Sequence, residues 1–239
     1  MTGWFEFNGV RCTDLGIVVS TLPPVTLAEE RVKFEDVVGR SGSLTVLEGE
    51  DVYNDMTLTA ECWWKDMSKL PEASSFLRGS GKVKFANRPE GTYRCRVTNQ
   101  IAFEKIVRGS AKYRKFAVNF RCKPFLYLDE SPDIVITESN TVYQNMGNVF
   151  SEPIITLYPS STNTEDDEII LTVGGQMIEL YGLTTPITID SDAQEASWNG
   201  KSMNSHMAGD FPVLPEGYFT VMWNGYVDRV VITPHWRVR

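Results

Sequence analysis

Apolar and polar residues alternate with a period of two over much of the chain. In Met56-Thr57-Leu58-Thr59-Ala60-Glu61-Cys62-Trp63, Met56, Leu58, Ala60 and Cys62 share one side, while threonines and an acid take the other. Residues 82–85, 93–97 and 116–122 follow the same rule, with Phe116, Val118, Phe120 and Cys122 in one parity class. This pattern predicts antiparallel strands that each bury a single face. One helix is expected among them. Ser68 is placed to cap it, Pro71 suits its first turn, Leu70, Ala73 and Leu77 form a stripe, and Gly79 suits its end.

Ser131-Pro132 marks a boundary, dividing the chain into domains 1–132 and 133–239. Beyond it, Ile134-Val135-Ile136 precedes a polar stretch from Glu138 to Asn148, and strand signals then resume. Residues 169–173 and 176–180 flank Gly174-Gly175. Residues 187–189 and the segment around Gln194-Glu195-Ala196 flank Asp190-Ser191-Asp192. Residues 219–223 and 226–231 flank Asn224-Gly225. Each pair reads as a hairpin, and Asn-Gly is the strongest short hairpin signal of the three. Strands and turns at this spacing predict a β-sandwich. No fixed-period repeat is present.

A further hairpin stands out between residues 25 and 50. Val37, Val38, Gly39, Arg40, Ser41, Gly42, Ser43 and Leu44 place β-prone apolar residues on either side of a glycine-serine turn. Acids crowd both ends: Glu29, Glu30, Glu35 and Asp36, then Glu48, Glu50 and Asp51. A two-stranded ribbon is marginal in water unless its apolar side chains find cover. A second subunit is the expected cover, and Val37 to Leu44 are the expected interface residues.

Composition narrows the field of functions. With 239 residues, 42% hydrophobic and 23% charged, the chain is expected to fold, either as one large β domain or as two ordinary ones. No apolar run approaches bilayer length, so a membrane partner is not expected. The start, Met1-Thr2-Gly3-Trp4-Phe5-Glu6-Phe7, lacks the basic head and apolar stretch of a secretion signal, so assembly in the cytoplasm is expected. The net charge of −8 is unevenly spread: residues 1–132 hold 19 basic and 17 acidic side chains, and residues 133–239 hold 4 and 14. Within the first part, residues 82–123 carry 12 bases, among them Lys82, Lys84, Arg94, Arg96, Arg108, Lys112, Arg114, Lys115 and Arg121. Such a stretch fits a solvated strand face, an acidic partner or nucleic acid. The acidity of the whole chain weighs against specific nucleic-acid binding.

Candidate chemistry is sparse. The four cysteines (Cys12, Cys62, Cys95, Cys122) form no CxxC pair, and there are only two histidines, so neither a zinc site nor any other metal or cofactor is expected. The cysteines read as small buried side chains on inward strand faces, with a disulfide as the lesser reading. His206 and His235 lie near no nucleophile motif. Gly39-Arg40-Ser41-Gly42-Ser43 lacks the ending of a phosphate loop. Asp166-Asp167-Glu168 and Asp190-Ser191-Asp192 match no EF-hand and are explained by turns. No catalytic residues are assigned, although with 31 acids spacing alone does not exclude glycoside hydrolysis. Among six tryptophans, Trp63, Trp64 and Trp223 fall in strand patterns that suggest core packing, whereas Trp198, beside Asn199-Gly200, is the candidate exposed ring for a glycan. A carbohydrate-binding module built on the C-terminal sandwich is therefore the alternative function.

An ordered set of short segments resembles a known family. It comprises Phe7-Asn8-Gly9-Val10, Asp14-Leu15-Gly16-Ile17-Val18-Val19, Leu22-Pro23-Pro24, Val38-Gly39-Arg40-Ser41-Gly42-Ser43-Leu44, Gly79-Ser80-Gly81-Lys82-Val83-Lys84-Phe85 and Phe120-Arg121-Cys122-Lys123-Pro124-Phe125. It continues with Ser151-Glu152-Pro153-Ile154-Ile155, Ile187-Thr188-Ile189-Asp190-Ser191, Asn199-Gly200 and Met207-Ala208-Gly209-Asp210-Phe211-Pro212. In this order they resemble the distal tail (Dit) proteins of long, non-contractile-tailed bacteriophages, across nearly the whole chain. The resemblance implies a mainly β protein. Its N-terminal β-sandwich would carry one α-helix and an extended hairpin arm, and a galectin-like β-sandwich would follow. It further implies a homo-hexameric ring at the tail tip of the virion, with the arm embracing the adjacent subunit. The ring would join the tail tube protein to the tail-associated hub protein and, in some phages, to receptor-binding or baseplate proteins. No catalytic residues carry over from the family.

Overall fold

A computed structural model describes residues 3–49, 51–64, 67–105 and 113–239, and the chain divides into two units, residues 1–129 with Arg239 and residues 130–238. The fold is mainly β with a single α-helix among the described residues. No helix among them is long and apolar enough to cross a membrane.

The first unit contains β1 (Phe5–Phe7), β2 (Val10–Arg11), β3 (Ile17–Thr21), β4 (Val32–Asp36), β5 (Ser43–Leu47), β6 (Met56–Trp64), β7 (Ser80–Phe85), β8 (Arg88–Val97), β9 (Glu104–Lys105) and β10 (Arg114–Leu128). All but β4 and β5 belong to one antiparallel sheet, in the order β2-β1-β7-β8-β10-β6-β3, with β9 against the start of β10. A bridge between Gly3 and Val19 ties the segment before β1 to β3, so the sheet curls round and its inward side chains share one core. The period-two pattern explains this arrangement. Met56, Leu58, Ala60, Cys62 and Trp64 are all buried, and so are Phe116, Val118, Phe120 and Cys122 on β10. The register sets Phe116 opposite Cys62, Val118 opposite Ala60 and Phe120 opposite Leu58, so like faces like across the ladder. Phe120 is the hub, with ring centroids 5.2 Å from Phe5, 5.8 Å from Phe7 and 5.6 Å from Phe85. Trp64 is also fully buried, and its indole N–H donates to the Leu15 carbonyl at 2.9 Å.

The helix α1 (Leu70–Phe76) is shorter than its sequence stripe, and Ser68 is not its cap. Residues 67–69 make a 3-10 turn, and Lys69 takes the cap position with no side-chain hydrogen bond. Ala73 and Leu77 are buried, whereas Leu70 is exposed. Phe76 does the packing instead, stacked on Phe5 at 5.8 Å and edge-on to Phe7 at 6.0 Å.

All four cysteines are buried free thiols. Three sit on inward strand faces, but Cys12 lies in a 3-10 turn spanning Cys12–Leu15. Burial pushes the Cys62 thiol up to about 12 and raises Cys12 as well, which keeps both protonated and inert.

The second unit is a sandwich of two antiparallel sheets. One contains β11 (Ile134–Ile136), β13 (Ile154–Pro159), β16 (Ile187–Asp190), β17 (Glu195–Trp198), β18 (Lys201–Ser202) and β21 (Val227–Thr233), in the order β11-β21-β13-β16-β17-β18. The other runs β12-β20-β14-β15-β19, with β12 (Thr141–Gln144), β14 (Glu168–Val173), β15 (Gln176–Tyr181), β19 (Met207–Ala208) and β20 (Tyr218–Asn224). Gly174-Gly175 joins β14 to β15, and the turn at 190–192 joins β16 to β17, both as hairpins.

Asn224-Gly225 does not make a hairpin. β20 pairs with β12 and β14, while β21 pairs with β11 and β13, so this turn carries the chain from one sheet to the other. Each strand has its own buried row, Phe219 and Val221 on β20 and Val230 and Ile232 on β21. Gly225, at φ +101°, passes so close to the Glu168 carbonyl that a Cβ would lie 2.9 Å from it. The polar stretch 138–148 also contains a strand, β12, which covers one edge of its sheet. The buried Asn145 then anchors the following loop by donating to the carbonyls of Val149 and Pro215.

Candidate functional site

The candidate interface residues, Val37 to Leu44, lie together on one two-stranded hairpin. β4 and β5 pair only with each other, Val32 opposite Leu47, Phe34 opposite Thr45 and Asp36 opposite Ser43, with Lys33 opposite Val46 and Glu35 opposite Leu44 on the other face. Val37, Val38, Gly39, Arg40, Ser41 and Gly42 form the tip, and Ser43 and Leu44 begin the return strand. Gly39 and Gly42 adopt φ of +81° and +79°, which side chains with a Cβ rarely do. The Arg40 amide donates to the Val37 carbonyl at 3.1 Å, and the Ser43 hydroxyl donates to Asp36 at 2.9 Å.

Three apolar side chains of this arm are the most exposed large ones of the unit among the described residues. Val38 is 103% exposed, Phe34 68% and Leu47 60%. Reasoning from the turn centred on Gly39–Gly42 missed Phe34 and Leu47, although the alternation Val32-Lys33-Phe34-Glu35 was visible. The arm's base, by contrast, is well held. Arg31 donates its amide to the Val52 carbonyl at 2.8 Å, Glu48 donates to that of Arg31, and Asn54 to that of Glu29. Tyr53 packs edge-on to Phe125 at 5.5 Å, and its hydroxyl accepts from Arg239. The base is thus hydrogen-bonded and packed, while the shaft beyond it leaves Phe34, Val38 and Leu47 exposed. Glu50 lies outside the described residues.

Lys33 pairs with Glu48 at 2.6 Å, and this hydrogen bond holds the Glu48 carboxyl below its ordinary value of 4.5. The pair therefore supports the base fully above that value, and the support disappears as pH falls through the lowered one. Amide exchange at Arg31 and Glu48, corrected for intrinsic rates, is expected to quicken across this acid range in the wild type and to show no such step in Glu48→Gln. Equal pH dependence in both would remove the pair from the account.

The basic stretch is largely occupied. Arg121 and Lys123 reach Asp55 at 2.9 and 3.8 Å, Lys115 reaches Glu61 at 3.6 Å, Lys84 pairs with Asp129, and Arg94 lies 4.3 Å over the Tyr127 ring. Arg108 and Lys112 lie outside the described residues. Trp198 is not the exposed ring expected: it is half-buried and edge-on to Tyr158 at 6.3 Å, with Arg229 stacked 4.0 Å over the same tyrosine. Among the described residues, no group of three or more His, Cys, Asp or Glu is placed to hold a metal ion.

No protein-family model and no curated protein sequence matches the chain. Its backbone superposes on the Dit protein of phage SPP1 with a TM-score of 0.75, over 99% of both chains, at 16% identity. The fold is that of a Dit protein. SPP1 Dit is described as a paradigm of the hub adsorption apparatus in phages that infect Gram-positive bacteria. The Dit-like fold also appears, more distantly, in the phage P2 baseplate in its activated conformation. The calcium form matches with a TM-score of 0.51 at 7% identity over 100% of this chain and 99% of that one. The strontium form matches at 0.51 and 8% over 97% of each.

Proposed function

We propose that this Dit-like chain is a structural, non-catalytic component of a phage virion, built into a hexameric ring at the distal end of the tail. The ring joins the tail tube to the tail-tip hub and to baseplate or receptor-binding proteins, and it assembles in the host cytoplasm before entering the particle. The observation that carries this reading is the arm, five-residue strands with Phe34, Val38 and Leu47 bare on a firmly seated base. A domain that exposes so much apolar ribbon needs an adjoining surface. The fold shared with SPP1 Dit supplies the context, and the uneven charge of the two units suits domains that meet different partners. The carbohydrate-binding alternative draws no support from Trp198, whose ring is half-covered by its own domain.

The test is the native mass of the purified chain, by light scattering or native mass spectrometry, together with negative-stain images. A mass six times the 27.0-kDa chain and rings with a central hole are expected. A single-chain mass that persists at high concentration overturns the reading.

A further inference from the structure

We propose that the arm of one copy ends in a groove of the next, between helix α1 and the β1–β2 hairpin of the first unit. This inference rests on the ring reading above and names the acceptor site it leaves open. The groove has a volume of about 350 Å³ and is lined by Phe7, Val10, Leu15 and Phe76, with Glu72 and Arg78 contributing charge. Phe7 is buried, while Val10 is 43% exposed, so the groove offers apolar surface at an accessible opening. Neither Glu72 nor Arg78 makes an ion pair among the described residues.

The arm tip complements this site. Val37 and Val38 provide small branched side chains that fit such a volume. Glu35 and Arg40 flank them, and neither makes an ion pair among the described residues. Arg40 is matched by Glu72 and Glu35 by Arg78, an exchange of opposite charges around an apolar plug. Such an arrangement steers the approach and fixes the register. From Val32 to Asp36 the shaft rises roughly 13 Å at the spacing of a β-strand, and the tip, residues 37–42, extends beyond it. Arm and groove are different patches of the same chain, so the contact runs head to tail and generates a ring when its rotation closes.

Because the native cysteines are buried, cross-linking in the full-length chain reads the contact directly. Val38→Cys combined with Val10→Cys, treated with a mild oxidant, is expected to give a ladder of linked copies on a non-reducing gel. Either single variant gives nothing beyond a dimer. Ser75→Cys replaces Val10→Cys as an independent probe of the same groove. Glu72→Lys is expected to raise the concentration needed for half-assembly at least tenfold, and adding Arg40→Glu restores it. If the wild type assembles while the double variants give no ladder, and Glu72→Lys assembles as the wild type does, the acceptor site is wrong and the ring reading stands. A wild type that never assembles overturns both.

Discussion

Removing residues 36–46 is expected to leave a folded, soluble single chain and to abolish assembly. The excised segment contains the tip and nearly all of β5 and contributes no side chain to either core: Val37, Val38 and Leu44 are all exposed. The base stays behind, held by the Arg31–Val52 and Asn54–Glu29 backbone bonds and by Tyr53 against Phe125. Folding therefore has little to lose. Association has much more. Covering a Val, Leu or Phe side chain is worth about 1.5–3 kcal/mol, and the arm offers Phe34, Val37, Val38, Leu44 and Leu47 to a neighbour. Against an association cost of roughly 4–15 kcal/mol, losing Val37, Val38 and Leu44, and the ribbon that presents Phe34 and Leu47, leaves no surplus. Sedimentation or light scattering decides the matter, with circular dichroism to show that the sheets persist. An intact multi-subunit particle from the deleted chain would sink the arm as the clasp.

Phe120→Ala is expected to produce the largest loss of stability of any single side-chain truncation in the first unit. The ring is fully buried and contacts Phe5, Phe7 and Phe85, and through Phe5 and Phe7 it is coupled to Phe76 of the helix. Truncations of this type cost about 3–5 kcal/mol, because the cavity collapses only in part, against a total of about 5–15 kcal/mol for an ordinary domain. The neighbours here are mostly other large rings pinned on strands, so relaxation is hindered and the upper part of that range is expected. The second unit has its own core of Ile155, Leu157, Leu171, Val221 and Ile232. Urea unfolding followed by circular dichroism should show one transition moved to much lower denaturant and another left in place, with Phe120→Leu recovering part of the shift. An unmoved first transition would show that the aromatic cluster is not the hub.

The strands of the first unit were legible because each buries one face, and a period of two in Met56–Trp64 and Phe116–Cys122 is the direct imprint of that burial. The arm was legible for a different reason. Gly39 and Gly42 supply the positive φ of a turn between two β-prone runs, and a hairpin follows from that local chemistry alone. What failed was the choice of partners. Asn224-Gly225 specifies a tight reversal, but a local reversal does not say whether the two strands join or part, and here the inward rows on β20 and β21 serve opposite walls of one core. Thr141–Gln144 escaped notice because its outward positions hold Val142 and Gln144 while the flanking residues are polar, which blurs the alternation. Ser68 fits a cap by type, yet Pro71 and the seven-residue length shift the helix start to Leu70. The groove beside α1 could not be read at all: Phe7 and Phe76 lie nearly seventy residues apart, and only the folded sheet brings them together.

The arm carries a liability. In the C-terminal sandwich, Lys201–Ser202 and Met207–Ala208 end the sheets as two-residue strips, too brief for a foreign strand to zip onto. The arm instead presents five-residue margins with open amides and carbonyls on both sides. A lysine or proline substituted on the outer side of either margin would blunt it as a template for a foreign strand.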